Sequence, residues 1–240
     1  MKHRYIAASV DGVVQLIAAS YLRHGYYWYV TGQIPLHKNP TSVDEKLIEK
    51  YQLNATDWER SRRKKAGIAN AQYVRLDRWF IIMVTEGHHP LKQTTDKGGE
   101  GNQLKDVRRY PIRIGGYSIS YRRHGEGQKS GELPEKKTTK PEVRYRAHVR
   151  IDQKSYANLK ARFESLAVHR RAETLLSEFQ QLPFARYAPI RRQLLNLARL
   201  VNDRRKPHGF DPIPYTQIGL RRTPVKVYQE ASSDRGDDAL

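Results

Sequence analysis

Residues 143–151, Val-Arg-Tyr-Arg-Ala-His-Val-Arg-Ile, alternate apolar and polar side chains without a break. Successive side chains on a strand point to opposite faces, so the segment reads as a strand with an apolar face and a face of Arg144, Arg146, His148 and Arg150. Such a strand needs antiparallel neighbours of the same character, which commits the chain to a sheet with two chemically different sides.

Those neighbours are legible upstream. Gly115-Gly116 reads as a two-residue turn that sets Ile114 against Tyr117, Ile112 against Ile119 and Tyr110 against Tyr121, with Arg113 and Ser118 on the reverse side. Segments 72–76 and 79–84 read as a second hairpin turning at Asp77-Arg78. The later strand is apolar on both faces and so belongs in the middle of a sheet. The aromatic run within 26–34, opening after Gly25, reads as a further strand.

Helical spacing surrounds these strands. Val10, Val13, Val14, Ile17 and Tyr21 recur at three- and four-residue steps, predicting a helix over 7–22 that His24-Gly25 closes. Ser42 with Glu45, and Thr56 with Glu59, form capping boxes that each open a short helix. After 143–151, Asp152 caps a mainly helical remainder at 153–168, 171–181 and 189–206, and a short strand follows near 224–228. Segments 92–106 and 124–142 read as exposed loops. The expected fold is therefore α+β, an antiparallel sheet with N-terminal helices and a helical C-terminal layer. Residues 1–151 carry the sheet, 152–230 form a basic helical part packed on it, and 231–240 form a disordered tail.

Charge narrows the function. Among 240 residues, 44 Lys and Arg face 25 Asp and Glu, a net charge of +19. Residues 1–59 hold six of each sign, so the whole excess lies downstream. An excess beyond what solubility requires points to a polyanion. No stretch approaches the ~20 apolar residues of a spanning helix, and the N-terminus lacks a signal-peptide core. A membrane is therefore not the expected partner, and a cytoplasmic, nucleoid- or ribonucleoprotein-associated location is. With no cysteine in the chain, disulfides, thiolate zinc sites, iron–sulfur clusters and cysteine nucleophiles are excluded.

The candidate phosphate-binding residues fall in four clusters: Arg60, Arg62, Arg63, Lys64 and Lys65; Arg108, Arg109 and Arg113; Arg144, Arg146 and Arg150; and Arg191, Arg192, Arg204 and Arg205. Fifteen tyrosines, three tryptophans and five phenylalanines accompany them, and aromatic faces in a positive groove hold unpaired bases. Most of the run at 26–29 is expected in the core, and Tyr145 is expected to point away from its flanking arginines.

A second chemistry is readable at Glu86-Gly87-His88-His89, the end of the central strand. Residues i and i+2 of a strand share a face, so Glu86 and His88 could reach one divalent metal ion, with His148 as a candidate third ligand. His148 on a strand, followed by Tyr156 on a helix, resembles the rolling-circle initiators and related single-strand transposases. Those enzymes pair a strand histidine motif with a helical tyrosine nucleophile. The resemblance implies Tyr156 as nucleophile, but no two histidines here are separated by a single residue as that motif requires. The leading expectation is binding of DNA or structured RNA. The alternatives are a metal-dependent nuclease or strand-transfer enzyme of mobile-element or replication type, and an architectural ribonucleoprotein component.

Overall fold

The computed structural model describes residues 5–95, 104–124, 144–219 and 221–229. Helix α1 (Val10–Leu16) is capped by Ser9, whose Oγ accepts from the Gly12 amide at 3.1 Å. It continues as a π turn over Ile17–Tyr21 and a 3₁₀ turn over Leu22–His24, and Gly25 stops it with φ 89°. Strand β1 (Trp28–Gln33) follows, then α2 (Pro40–Tyr51) and α3 (Asp57–Lys65). The Thr56–Glu59 capping box forms at α3 as expected. The Ser42–Glu45 box does not: Asn39 caps α2 three residues earlier, with Pro40 in the first turn. An Asn side chain ahead of a proline already fixed near helical φ starts the helix sooner.

Strands β2 (Ala71–Leu76) and β3 (Trp79–Val84) form the expected hairpin, with Leu76 opposite Trp79. A short helix, α4 (Pro90–Thr95), and strand β4 (Lys105–Asp106) enter the segment expected to be loop, of which 96–103 lie outside the described residues. The first sheet has the order β2-β3-β1-β4. Its central β3 is apolar on both faces because both faces are covered. Ile81 and Met83 join the main core, while Ile82 and Val84 join a second cluster with Leu53, Ala71 and Tyr73.

Strands β5 (Ile112–Ile114), β6 (Tyr117–His124) and β7 (Arg144–Ile151) make a separate three-stranded sheet. The strands expected in one sheet are thus divided between two. Ile112 opposes Ile119 and Ile114 opposes Tyr117 as expected, but the ladder stops short of Tyr110, whose amide bonds back to the Asp106 carbonyl at 2.7 Å. Pro111 has no N–H with which to extend the ladder.

Asp152 caps α5 (Gln153–Ala167), and α6 (Ala172–Gln180) and α7 (Ala188–Arg205) complete the helical layer. Phe163, Phe179, Leu194 and Val201 from this layer share one buried cluster with Val13 and Ile17 of the first helix and with Ile119 and Val149 of the second sheet. Near the C-terminus the expected strand is reduced to one bridge, Ala7 with Tyr228. Its carbonyls approach α1 so closely that a Cβ on Gly12 would lie 3.0 Å from the Val227 oxygen. Residues 125–143 and 230–240, which include most of the second expected loop and the expected tail, lie outside the described residues. Among the described residues no helix is long and apolar enough to cross a membrane.

Candidate nucleic-acid interface

The register of the second sheet sets its chemistry. Arg113 lies opposite Ser118, Ser118 opposite Arg150, Ser120 opposite His148, and Arg122 opposite Arg146. Period two places all of these on one face, while Tyr117, Ile119, Tyr121, Ala147, Val149 and Ile151 share the other. Arg113, Arg122, Arg146 and Arg150 are exposed, and among the described residues Arg113, Arg146, Arg150, Arg191 and Arg192 make no ion pair. Helix α7 begins beside this face, and its Gln193 closes the edge of β7 by accepting from the Ile151 amide at 2.8 Å and donating to its carbonyl at 3.1 Å. The electrostatic result is visible at His148. Burial, then the charges of Arg122, Arg150 and Arg192, push its imidazole below the ordinary histidine value, so it is neutral at pH 7 and leaves the arginines as the charge of this face.

Several other expected phosphate ligands are buried or already partnered. Arg205 is 3% exposed, and its guanidinium donates to the carbonyls of Asp211, Ala167 and Arg170, each at 2.7 Å. It satisfies orphan carbonyls at the end of α5, which removes it from the interface. Arg60 pairs with Asp57 at 3.1 Å and is three-quarters buried. Arg108 is bound to Asp106 at 2.8 Å and Glu86 at 3.1 Å, and lies 4.9 Å over the Tyr27 ring. Although burial pushes the Asp106 carboxyl up, the bonds from Arg108 hold it below the usual range. Arg63 donates to the Gln52 side chain at 2.9 Å, and Arg204 lies 3.7 Å from Glu164. Arg62, Lys64, Lys65 and Arg109 are exposed, Arg62 beside the Trp58 ring. Arg144 is the first residue of β7.

The metal expectation loses its premise. Strand β3 ends at Val84, and Gly87, with φ 113°, breaks the alternation that was to align Glu86 with His88. Glu86 instead accepts from Trp28 Nε1 at 3.0 Å and pairs with Arg108 and Lys92. His88 is exposed, whereas His89 is buried and stacked on Tyr51. His148 belongs to the other sheet, and among the described residues no group of three His, Asp or Glu side chains is gathered. The Tyr156 hydroxyl donates to the Gln193 carbonyl at 3.2 Å, and burial raises its phenol above the ordinary value, which opposes a tyrosinate nucleophile.

A groove that the sequence did not disclose opens on the reverse side of β6 and β7. The Arg108 guanidinium and the rings of Tyr27, Tyr121 and Tyr145 follow one another, the rings 5.0 and 5.7 Å apart and tilted by only 25° and 21°. Burial and a hydroxyl bond with Tyr27 push the Tyr121 phenol up to about 12, so it remains protonated. Tyr145 ends the series 46% exposed, pointing away from its flanking arginines as expected. Tyr187, with Arg222 at 4.4 Å from its ring centroid, lines the same concavity, of about 330 Å³. The Arg122 position could have been found by extending the hairpin register past Ile119. Tyr187 and Arg222 come from distant segments with no shared pattern.

Comparison with protein-family models, curated proteins and solved structures finds no match.

Proposed function

We propose that the protein binds nucleic acid through the polar face of β5–β6–β7 and the arginines that open α7. The observation that carries this reading is a set of arginines aligned by strand register, none of them within 4.0 Å of a carboxylate oxygen among the described residues. Clustered cations repel one another, and a polyphosphate relieves that repulsion while releasing its own counterions. Ser118, partly exposed between Arg113 and Arg150, is a small neutral donor of the kind that positions phosphate oxygens between guanidinium groups, whereas Ser120 is buried and accepts from Arg122 Nε at 3.1 Å. A face that runs across three strands suits a linear polyanion better than a compact ligand.

The test is a salt titration of affinity, by fluorescence anisotropy, on the parent and on a variant with Arg113, Arg146 and Arg150 changed to Ala. The parent should show a steep linear fall of log affinity with log salt. The variant should bind single strands and duplexes more weakly, with a slope shallower by about 1 for each phosphate contact removed. Its melting temperature should not fall, because all three side chains are exposed and their removal takes like charges off one face. Parental affinity and slope in the variant would refute this face as the interface.

A further inference from the structure

We infer that the groove between Tyr145 and Tyr187 receives unpaired bases, so that the protein selects single-stranded nucleic acid over duplex; this rests on the nucleic-acid reading of the adjoining polar face.

The groove exists because an apolar sheet face outruns its cover. On β6 and β7 the apolar positions begin fully buried at Tyr117 and Ile151 and end at the half-buried Tyr121 and the exposed Tyr145. The covering residues there are Ala18 and Ala19, on the π turn, and neither side chain is long enough to fill the space. A large ring at this place could have been buried by a longer residue on the turn. Instead Tyr145 keeps 46% of its surface exposed in a concavity of about 330 Å³, a size typical of sites for planar organic groups.

The chemistry of the walls specifies the occupant. A tyrosine ring already stacked on one side offers its other side to a flat, polarisable partner, and every nucleobase has such a face. Arg23, Arg146 and Arg222 also line the groove, so the partner carries negative charge close to its planar group. Arg146 is the link between the two surfaces. By register it belongs to the polar face, opposite Arg122, yet it also lines the groove, because β7 is the edge strand of its sheet. A strand whose phosphates lie on the polar face can therefore turn its bases over that edge. In a duplex the base faces are already occupied by their neighbours, and only edges are on offer.

The experiment measures binding of the full chain to oligo-dT, oligo-rU and a mixed-sequence duplex of equal length, for the parent and for the Tyr145→Ala and Tyr145→Phe variants. The parent is expected to bind at least one single strand more tightly than the duplex. Tyr145→Ala should lose about 5-fold or more of single-strand affinity, the lower end of what removing one stacking ring costs, while duplex affinity is unchanged. Tyr145→Phe keeps the ring and should bind as the parent does. Near-ultraviolet crosslinking of 4-thiouridine-substituted oligo-rU should fall with Tyr145→Ala and persist with Tyr145→Phe. Equal parental affinity for single strand and duplex, or equal losses for both in Tyr145→Ala, would overturn the inference while nucleic-acid binding itself stood. Absence of binding to all three probes would overturn the underlying reading instead.

Discussion

Asp44 is fully buried on α2, and its carboxylate accepts from the Tyr73 hydroxyl at 2.5 Å and from Arg75 Nε at 2.8 Å. Arg75 completes its bonding on the Asp77 carbonyl, so the group ties α2 to the β2–β3 turn. Arg186 is likewise buried, donating to the carbonyls of Gly219, Phe184 and Phe179. These side chains show why a count of basic residues overstates an interface: Arg204 and Arg205 are neighbours, yet one meets solvent and the other closes a helix end. Sequence cannot separate them, because two of the three carbonyls that claim Arg205, those of Ala167 and Arg170, belong to residues more than thirty positions away. His89 gives this scale a testable consequence. Burial, then the charges of Arg63 and Lys92, outweigh a bond to the Tyr51 carbonyl and hold its imidazole below the ordinary value, while its Nδ1 accepts from the Leu91 amide at 3.2 Å. The unfolded chain takes up a proton near pH 6.5 that the folded protein refuses, so stability present above that pH is lost as pH falls below it. The melting temperature should therefore drop on acidification from about pH 7.5 to 5.5. His89→Gln, which cannot titrate, should show a smaller drop, and His148, shifted the same way, should account for part of what remains. An unchanged acid dependence in His89→Gln would assign the effect elsewhere.

At the scale of the element, the β5–β6 turn decides whether the basic face exists. Gly115 and Gly116 adopt φ 51° and 79°, a left-handed pair whose twist matches that of the flanking strands. A Cβ on Gly115 would also fall 2.5 Å from Val10 Cγ1, so α1 packs directly on the turn. Gly115→Ala should destabilise the protein by about 1–2 kcal/mol from the backbone alone, and by more if Val10 cannot withdraw. Urea unfolding measures it, and a loss under about 0.5 kcal/mol, the level of ordinary surface changes, would show that the turn has other ways to form. This turn, the β2–β3 hairpin, the β7 alternation, the α3 capping box and the Asp152 cap were all legible, because each depends on residues within a few positions of one another. Local patterns end where the backbone breaks them: strand geometry stops at Val84, ahead of Gly87 with its positive φ, and hairpin pairing stops short of Tyr110, at Pro111. The π turn at Ile17–Tyr21 has no such signature, since its spacing differs from that of an α-helix by one residue in a single turn.

At the scale of the whole molecule, charge and fold act in opposite directions. The net +19 arises wholly beyond residue 59, in the part of the chain that contains both the polar sheet face and α7. Like charges brought together by folding weaken the compact state, and only a counter-charge or salt relieves them. The same arginines make association with a polyanion favourable, through counterions that salt holds in place. One variable should therefore move two measurements in opposite senses. Between about 50 and 200 mM salt the melting temperature of the free protein should rise, as screening shortens the reach of the repulsion, while affinity for nucleic acid falls by about tenfold or more. Bound nucleic acid should raise the melting temperature at the lower salt and lose that effect at the higher, because stabilisation by a ligand follows its affinity. The Arg113, Arg146 and Arg150 triple alanine variant provides the internal check: with three charges removed from one face, its melting temperature should respond less to salt, and so should its affinity. A free protein whose stability ignores salt while its binding falls steeply would mean that the arginines are already far enough apart to be indifferent to one another. The sheet face would then owe its affinity to its alignment with phosphates and not to any repulsion relieved on binding.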